Sequence, residues 1–144
     1  MKKFLTLLLV SFLSVVSYAQ EAKAKIEFKK ETIDYGKIEY GSDGIRTFEF
    51  VNTGNAPLVI AKVKSSCGCT VPKKPTAPIM PGEKGEIEVK YNTKKAGFIR
   101  KTVTVTSNAT NVKDGLSYLK IKGEVMKIDN SSILEKKEKS IMDQ

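Results

Sequence analysis

Apolar and polar residues alternate with a period of two along most of this chain, and that alternation constrains its fold more than any other feature. Residues two apart in a strand point to the same face, so each alternating run predicts a strand with one buried side. The expected inward rows are Phe48 and Phe50; Ile87, Val89 and Tyr91; Val103 and Val105; and Leu119, Ile121, Gly123 and Val125. Turn residues separate the runs, and no long amphipathic helix interrupts them. The sequence therefore predicts an all-β protein, an antiparallel β-sandwich.

The expected strands lie near residues 26–28, 32–38, 45–51, 58–63, 86–91, 99–106 and 119–125. Between the fourth and fifth of these, residues 72–81 contain four prolines. Proline donates no hydrogen bond to a sheet, so this segment is expected to be a loop and not a central strand.

The N-terminus has the pattern of a secretory signal. Lys2 and Lys3 precede an apolar run at 4–16, and Ser17-Tyr18-Ala19 resembles a cleavage site, so residues 1–19 are the expected signal peptide. The run is too short for a comfortable membrane span, and the mature protein is expected to be secreted or periplasmic, without an integral span. Residues 25–126 then form the single domain. The charged tail 127–144 is expected to be a short helix or disordered.

The chain carries a net charge of +9, which falls to +7 when Lys2 and Lys3 leave with the signal. The lysines mostly alternate with apolar residues, as at Lys62 and Lys64 and at Lys120 and Lys122, a pattern typical of solvated strand faces. There is no arginine cluster. Nucleic acid is therefore not an expected partner.

Both cysteines of the chain lie in one short motif, Cys67-Gly68-Cys69, where a strand pattern meets the proline-rich segment. In extended chain the two sulfurs share a face, and glycine between them permits the slight bend that a disulfide needs. The ring closed by such a bond is small, so the chain-entropy expression gives it only about 1.6 kcal/mol. The chain has no histidine, which removes the commonest general base and the arrangements built on it.

Three interpretations of the motif remain open. In the first, the motif is a structural corner that is either disulfide-bonded or simply buried. In the second, it is a redox centre that exchanges disulfides with envelope partners. In the third, it is a Cu(I) site in which Met80 joins Cys67 and Cys69 as a ligand. The first is favoured. Cu(I) is the one cofactor considered, and only under the third interpretation.

Several separated motifs resemble a known family: residues 52–58 (NTGNAPL), 65–70 (SSCGCT) and 81–85 (PGEKG). They are similar to a family of exported bacterial proteins classed as a domain of unknown function. The resemblance covers about residues 28–125 and implies an immunoglobulin-like sandwich related to Hydin and major-sperm-protein domains, with no established activity.

Together these observations predict a non-enzymatic binding or structural module of the cell envelope whose partner is another envelope protein or a surface component. The runner-up is a thiol-dependent redox or Cu(I)-binding protein. The expected binding surface is the loop from Cys67 to Pro81. Its named residues are Ser66, Cys67, Gly68, Cys69, Thr70, Pro72, Pro81 and Gly82.

Overall fold

The structure is a computed structural model that describes residues 21–127. The expected signal peptide and all but the first residue of the expected tail lie outside these described residues. The strands are β1 (Ile26–Phe28), β2 (Thr32–Ile38), β3 (Ile45–Asn52), β4 (Ile60–Ser65), β5 (Thr70–Lys73), β6 (Lys84–Tyr91), β7 (Gly97–Ser107) and β8 (Leu116–Val125). One 3-10 turn, Lys113–Gly115, precedes β8. Between residues 21 and 127, no helix has the length and apolar character needed to cross a membrane.

The strands form two four-stranded sheets packed face to face. The β6 sheet has the order β1-β3-β6-β5, and the β7 sheet has the order β2-β8-β7-β4. Every neighbouring pair is antiparallel except β2 and β8, which run parallel. The parallel pair arises because the chain passes from the edge of one sheet to the edge of the other between Phe28 and Thr32 without reversing direction. The predicted β-sandwich is confirmed, but it is not purely antiparallel.

The core lies between the sheets and consists of the inward rows that alternation predicted. Its fully buried side chains include Phe48, Phe50, Ile87, Val89, Val103, Val105, Leu119, Ile121 and Val125. Each removes most of its apolar surface from water, which is the main source of stability for a domain of this size. Gly85 completes the packing, because a Cβ there would lie 2.3 Å from the Phe50 ring.

The chain passes from the edge of one sheet to the edge of the other a second time between β4 and β5, on the opposite side of the sandwich. Alternation placed the start of β4 at Leu58, but the strand begins at Ile60, and Leu58 instead forms an isolated bridge with Ile79. β5 was not predicted. It contains Pro72 and lies at the edge of its sheet, where a missing N–H is tolerated.

Two ends of the sandwich can be distinguished by their loops. The Cys end comprises loops 39–44, 66–69 and 92–96, and the Asn52 end comprises loops 53–59, 79–83 and 108–115. At the Asn52 end the fully buried Asn52 side chain accepts hydrogen bonds from the N–H groups of Lys25 (3.4 Å) and Gly54 (3.0 Å). It donates to the carbonyl oxygens of Ala56 (2.8 Å) and Ile79 (2.9 Å). One amide therefore joins three separate segments.

Candidate functional site

The Cys67-Gly68-Cys69 turn carries the chain from β4, at the edge of the β7 sheet, to β5, at the edge of the β6 sheet. In the structure a disulfide joins Cys67 to Cys69, whose Cα atoms lie 5.4 Å apart. Fully extended residues two apart would be about 6.7 Å apart, so the backbone bends here. The bend does not depend on glycine, because φ of Gly68 lies outside the left-handed region and a Cβ there would meet no atom within 4 Å.

Hydrogen bonds fasten both sides of the turn to the rest of the fold. On one side the Ser66 N–H donates to the Thr102 carbonyl oxygen (2.9 Å), and the Thr102 N–H donates to Ser66 Oγ (3.2 Å). On the other side the Asn92 N–H donates to the Cys69 carbonyl oxygen (2.9 Å). The turn is therefore anchored to both sheets independently of the sulfurs.

The two sulfurs are half-buried beside a buried hydroxyl. Cys69 packs against the edge of the core. The hydroxyl of Thr70, which is 3% exposed, lies 3.7 Å from Cys67 Sγ and 4.0 Å from Cys69 Sγ. Since the sulfurs are bonded to each other, the hydroxyl is the donor in these weak contacts.

An open groove of about 490 Å³ adjoins the turn. It is lined by residues 41–45, 68–69 and 90–94, and we call it the Cys groove. Its charged lining residues are Lys90, Lys94 and Asp43, and the ring of the buried Tyr91 lies beneath it. Gly68 and Cys69 thus form one wall of the groove, and loop 41–45 forms the wall opposite.

Main-chain hydrogen bonds hold loop 41–45 in place. The Gly41 N–H donates to the Thr93 carbonyl oxygen (3.1 Å), and the Tyr91 N–H donates to that of Gly44 (2.9 Å). The Thr93 hydroxyl donates to the Ser42 carbonyl oxygen (2.6 Å). Gly44 approaches β6 so closely that a Cβ would lie 2.1 Å from the Tyr91 carbonyl oxygen. The wall is therefore rigid and requires glycine at that position.

A polar cluster beneath the Cys groove supports the same loop. The Tyr35 hydroxyl donates to the Gly44 carbonyl oxygen (2.8 Å), and its ring meets that of Tyr91 edge-on. Burial raises the pKa of Tyr35 to about 12, although the Arg46 guanidinium, 4.5 Å from the ring centroid, acts in the opposite direction. No local sequence signal predicts this cluster, because its members come from β2, β3 and β6.

The predicted loop from Cys67 to Pro81 is divided between the two ends of the molecule. Ser66, Cys67, Gly68, Cys69 and Thr70 lie at the Cys end, and Pro72 follows on β5. The Gly82 N–H, next to Pro81, donates to the Asn52 carbonyl oxygen (2.8 Å) at the other end. The loop runs along the side of the sandwich, where Lys74 Nζ reaches the Ile60 carbonyl oxygen (2.9 Å).

Met80 lies far from the sulfurs. Its N–H donates to the Glu83 carboxylate (2.9 Å) just before β6 begins, whereas Thr70 pairs with Tyr91 at the far end of that strand. Seven residue steps of strand separate the two points, about 23 Å. The structure does not bring Met80 to Cys67 and Cys69. Among residues 21–127, no group of three His, Cys, Asp or Glu side chains is placed to hold a metal ion.

Residues 26–125 match the family described as "Protein of unknown function (DUF1573)". The chain belongs to this family. The resemblance seen in its motifs is thereby confirmed, and the DUF1573 domain accounts for all eight described strands. No curated protein matches the chain.

Solved structures share the fold of this DUF1573 protein at low sequence identity. A protein of unknown function from Porphyromonas gingivalis W83 is 18% identical, with a TM-score of 0.63 over 74% of this chain and 50% of that one. The PapD-like domain 7 of human CEP192 is 10% identical, with a TM-score of 0.60 over 80% and 94%. The CsuC–CsuE chaperone–tip adhesion subunit complex of Acinetobacter baumannii is 13% identical, with a TM-score of 0.51 over 72% of this chain and 57% of that one. The fold is thus a PapD-like immunoglobulin-type sandwich, and the chain spans half the length of the P. gingivalis protein.

Proposed function

We propose that this DUF1573 protein is an exported, non-enzymatic binding module of the cell envelope that holds a protein partner in the Cys groove. The observation that carries the proposal is the groove itself. About 490 Å³ of open space lies between walls that are already hydrogen-bonded to β6 and to the residues that follow it. Ordered walls lose little conformational freedom when a partner binds, which favours affinity.

The lining of the Cys groove favours an extended segment that carries carboxylates. Lys90 and Lys94 are exposed cations at its edge, and Asp43 is the one acid among its lining residues. A segment of another envelope protein or surface component with acidic side chains would match this lining.

The fold is compatible with such a role. The CsuC–CsuE structure shows a chaperone together with a tip adhesion subunit, so a PapD-like domain is able to bind another protein. At 13% identity that likeness concerns the fold alone, and the argument for this chain rests on its own groove.

Site-specific photo-crosslinking in the envelope of the source bacterium tests the proposal. A photoreactive residue at Asn92, in the groove, should give discrete protein adducts, and one at Glu86, on the outward side of β6, should not. The double substitution Lys90→Glu and Lys94→Glu should remove the Asn92 adducts, since it reverses the charge that would attract the partner. Adducts that persist after charge reversal, or that form equally from position 86, would contradict the proposal.

Export is tested separately by mass spectrometry of the protein recovered from cell fractions. The mature chain should begin at Gln20 and should be found outside the cytoplasm. An intact N-terminus at Met1 in the cytoplasmic fraction would contradict the exported role while leaving the groove experiment interpretable.

A second candidate function, thiol–disulfide exchange, is favoured by the position of the disulfide at the groove wall beside the Thr70 hydroxyl. A thiolate of an envelope dithiol would attack one sulfur, and the other would leave as a thiolate that accepts a hydrogen bond from Thr70. The second thiol of the donor then resolves the mixed disulfide. Two electrons and two protons pass to Cys67 and Cys69, and the donor becomes a disulfide.

Intact mass and a thiol count on protein purified without reductant come first for this candidate. A mass two units low with no free thiol shows the bond, and titration against glutathione buffers then gives its reduction potential. A potential close to that of envelope dithiols supports exchange. If those buffers do not reduce the bond, the disulfide is structural and does not take part in exchange.

A further inference from the structure

The outward side of the β7 sheet is strongly basic. Its strands alternate, so Leu119 and Ile121 are buried while their neighbours Lys120 and Lys122 are exposed. We call this surface the basic face. Its outward strand positions hold the cations Lys37, Lys62, Lys64, Arg100, Lys120 and Lys122 and the acids Asp34 and Glu124.

The outward side of the β6 sheet is different. Its strand positions hold the cations Lys73, Lys84 and Lys90 and the acids Glu27, Glu49, Glu86 and Glu88. The positive charge of the chain is therefore not spread evenly over the strands. It is concentrated on one side of the sandwich.

Most of the cations on the basic face are unpaired within the described part of the chain. Asp34 forms a salt bridge with Lys122 (3.2 Å). Between residues 21 and 127, Lys62, Lys64 and Arg100 form no salt bridge. A surface with this much unpaired positive charge attracts polyanions.

Two exposed aromatic rings lie on the same face. Phe98 is 72% exposed and Tyr118 is 55% exposed, and the Arg100 guanidinium lies 5.9 Å from the Phe98 ring centroid. Phe98 pairs with Glu124, and Tyr118 pairs with Thr104, so the rings are separated by six residues along β7, about 20 Å. Large rings beside lysines are typical of surfaces that contact the headgroup region of a bilayer.

We propose that the basic face docks on a bilayer surface containing anionic phospholipids. The lysines would interact with headgroup phosphates, and Phe98 and Tyr118 would reach the boundary between headgroups and acyl chains. Such docking requires no pocket, only cations dispersed over an exposed face, which the outward positions of this sheet provide. The Cys groove, formed by the loops at one end of the sandwich, would remain open to a protein partner.

A lipid surface suits this face better than nucleic acid. Five of its six cations are lysines, which act as point charges, whereas base recognition favours the planar fork of arginine. An acidic protein segment is the remaining polyanion, and the experiment distinguishes it from lipid.

Binding of the mature protein to vesicles tests the proposal. The variant Lys62→Gln/Lys64→Gln/Lys120→Gln removes charge from the basic face. The matched control Lys29→Gln/Lys73→Gln/Lys84→Gln removes equal charge from the outward side of the other sheet, where Lys29 contacts Glu49. With phosphatidylcholine vesicles containing phosphatidylglycerol, the first should bind at least about tenfold more weakly than the unmodified protein, and the control should change less than about twofold. Vesicles of phosphatidylcholine alone should bind none of the three.

Three results would overturn the proposal. The unmodified protein could fail to bind anionic vesicles at physiological ionic strength, or both variants could lose affinity equally, which would show an effect of total charge. Alternatively, soluble polyglutamate could displace the protein completely from the vesicles, which would point to an acidic protein segment. Thermal melting confirms that each variant is folded.

A fluorescent reporter gives a second readout that does not depend on charge. The chain has no tryptophan, so Phe98→Trp supplies a single probe on the basic face and Glu86→Trp supplies one on the other sheet. Anionic vesicles should shift the emission of the first to shorter wavelength and leave the second unchanged. A shift at both positions, or at neither, would contradict docking through this face.

Discussion

Each end of the sandwich is closed by three loops, but the loops at the two ends are held in different ways. At the Asn52 end, buried and exposed amide side chains hydrogen-bond to the loop backbones. An open groove of about 440 Å³ also lies at this end, lined by Glu21, Lys23, Lys25 and residues 53–55. At the Cys end, the loops bond mainly through their own main chains and leave a groove with a disulfide in its wall. The two ends therefore differ in how their loops are held: amide side chains cross-link the loops at one end, and main-chain hydrogen bonds hold most of those at the other.

Removing the buried amide at the Asn52 end is expected to have the largest effect on stability. Asn52→Ala should lower the free energy of unfolding by about 3 kcal/mol, because the N–H groups of Lys25 and Gly54 and the Ala56 carbonyl oxygen lose this partner. The Ile79 carbonyl oxygen keeps only its bond from the Leu58 N–H. Urea denaturation gives the value. Asn55→Ala, at an exposed position of the same loop, is the control and should cost less than about 1 kcal/mol. Equal losses would mean that the Asn52 network does not hold this end together.

A smaller change tests whether the wall of the Cys groove is rigid. Gly44→Ala should cost about 2 kcal/mol, because the added Cβ would lie 2.1 Å from the Tyr91 carbonyl oxygen and must displace the loop. Gly68→Ala, in the opposite wall, meets open space and should cost nothing or stabilise by up to about 1 kcal/mol. Differential scanning calorimetry of the pair measures the contrast. A destabilised Gly68→Ala variant would show that glycine is needed at the disulfide after all.

The disulfide is expected to contribute less to the free energy of unfolding than the Asn52 amide. Replacing both cysteines by serine should cost no more than about 1.6 kcal/mol, since the bond closes a very small ring and Ser66 and Asn92 already anchor the turn. Urea unfolding with and without reductant gives two estimates of this cost, which should agree. A loss of unfolding free energy above about 3 kcal/mol would mean that the disulfide contributes more to stability than the Asn52 amide does.

The ionisation of Tyr35 is expected to have the smallest effect on stability at neutral pH. Burial raises its pKa to about 12 from an unfolded value near 10, so the folded state keeps the hydroxyl proton up to a higher pH than the unfolded state does. The stabilisation is complete below about pH 10 and is lost as the pH rises towards 12. Unfolding free energies of Tyr35→Phe and the unmodified protein should differ by a constant amount below pH 10 and converge above it. A constant difference through pH 12 would contradict the raised pKa.

The sequence predicts the core and the sandwich well, and the site poorly. Inward rows such as Ile87 and Val89 follow from alternation, which is a local property of a strand. β5 escaped prediction because Pro72 lowers strand propensity, and its pairing with β6 depends on residues about twenty positions away. The parallel pair β2–β8 is set by a crossover that the local pattern does not specify.

The Cys groove could not be predicted for the same reason. Its walls come from three segments, 41–45, 68–69 and 90–94, that only the folded chain brings together. The motif at Cys67 identifies one wall of the groove. The sequence around Gly44 and around Lys94 contains no signal that places those residues beside the motif. Only the Cu(I) interpretation required Met80 beside the cysteines, and it assumed that the proline-rich loop folds back, whereas this loop runs the length of the sandwich.

The parallel pairing of β2 with β8 has a mechanical consequence. The chain enters the domain at the Asn52 end, near Lys25, and leaves it at the Cys end, near Met126. A force that pulls these two points apart acts along both strands in opposite directions and loads all of the hydrogen bonds between them at once. Bonds sheared together resist far more than bonds opened one after another, so the β2–β8 pair should resist a pull between these two points more than a pair loaded from one end.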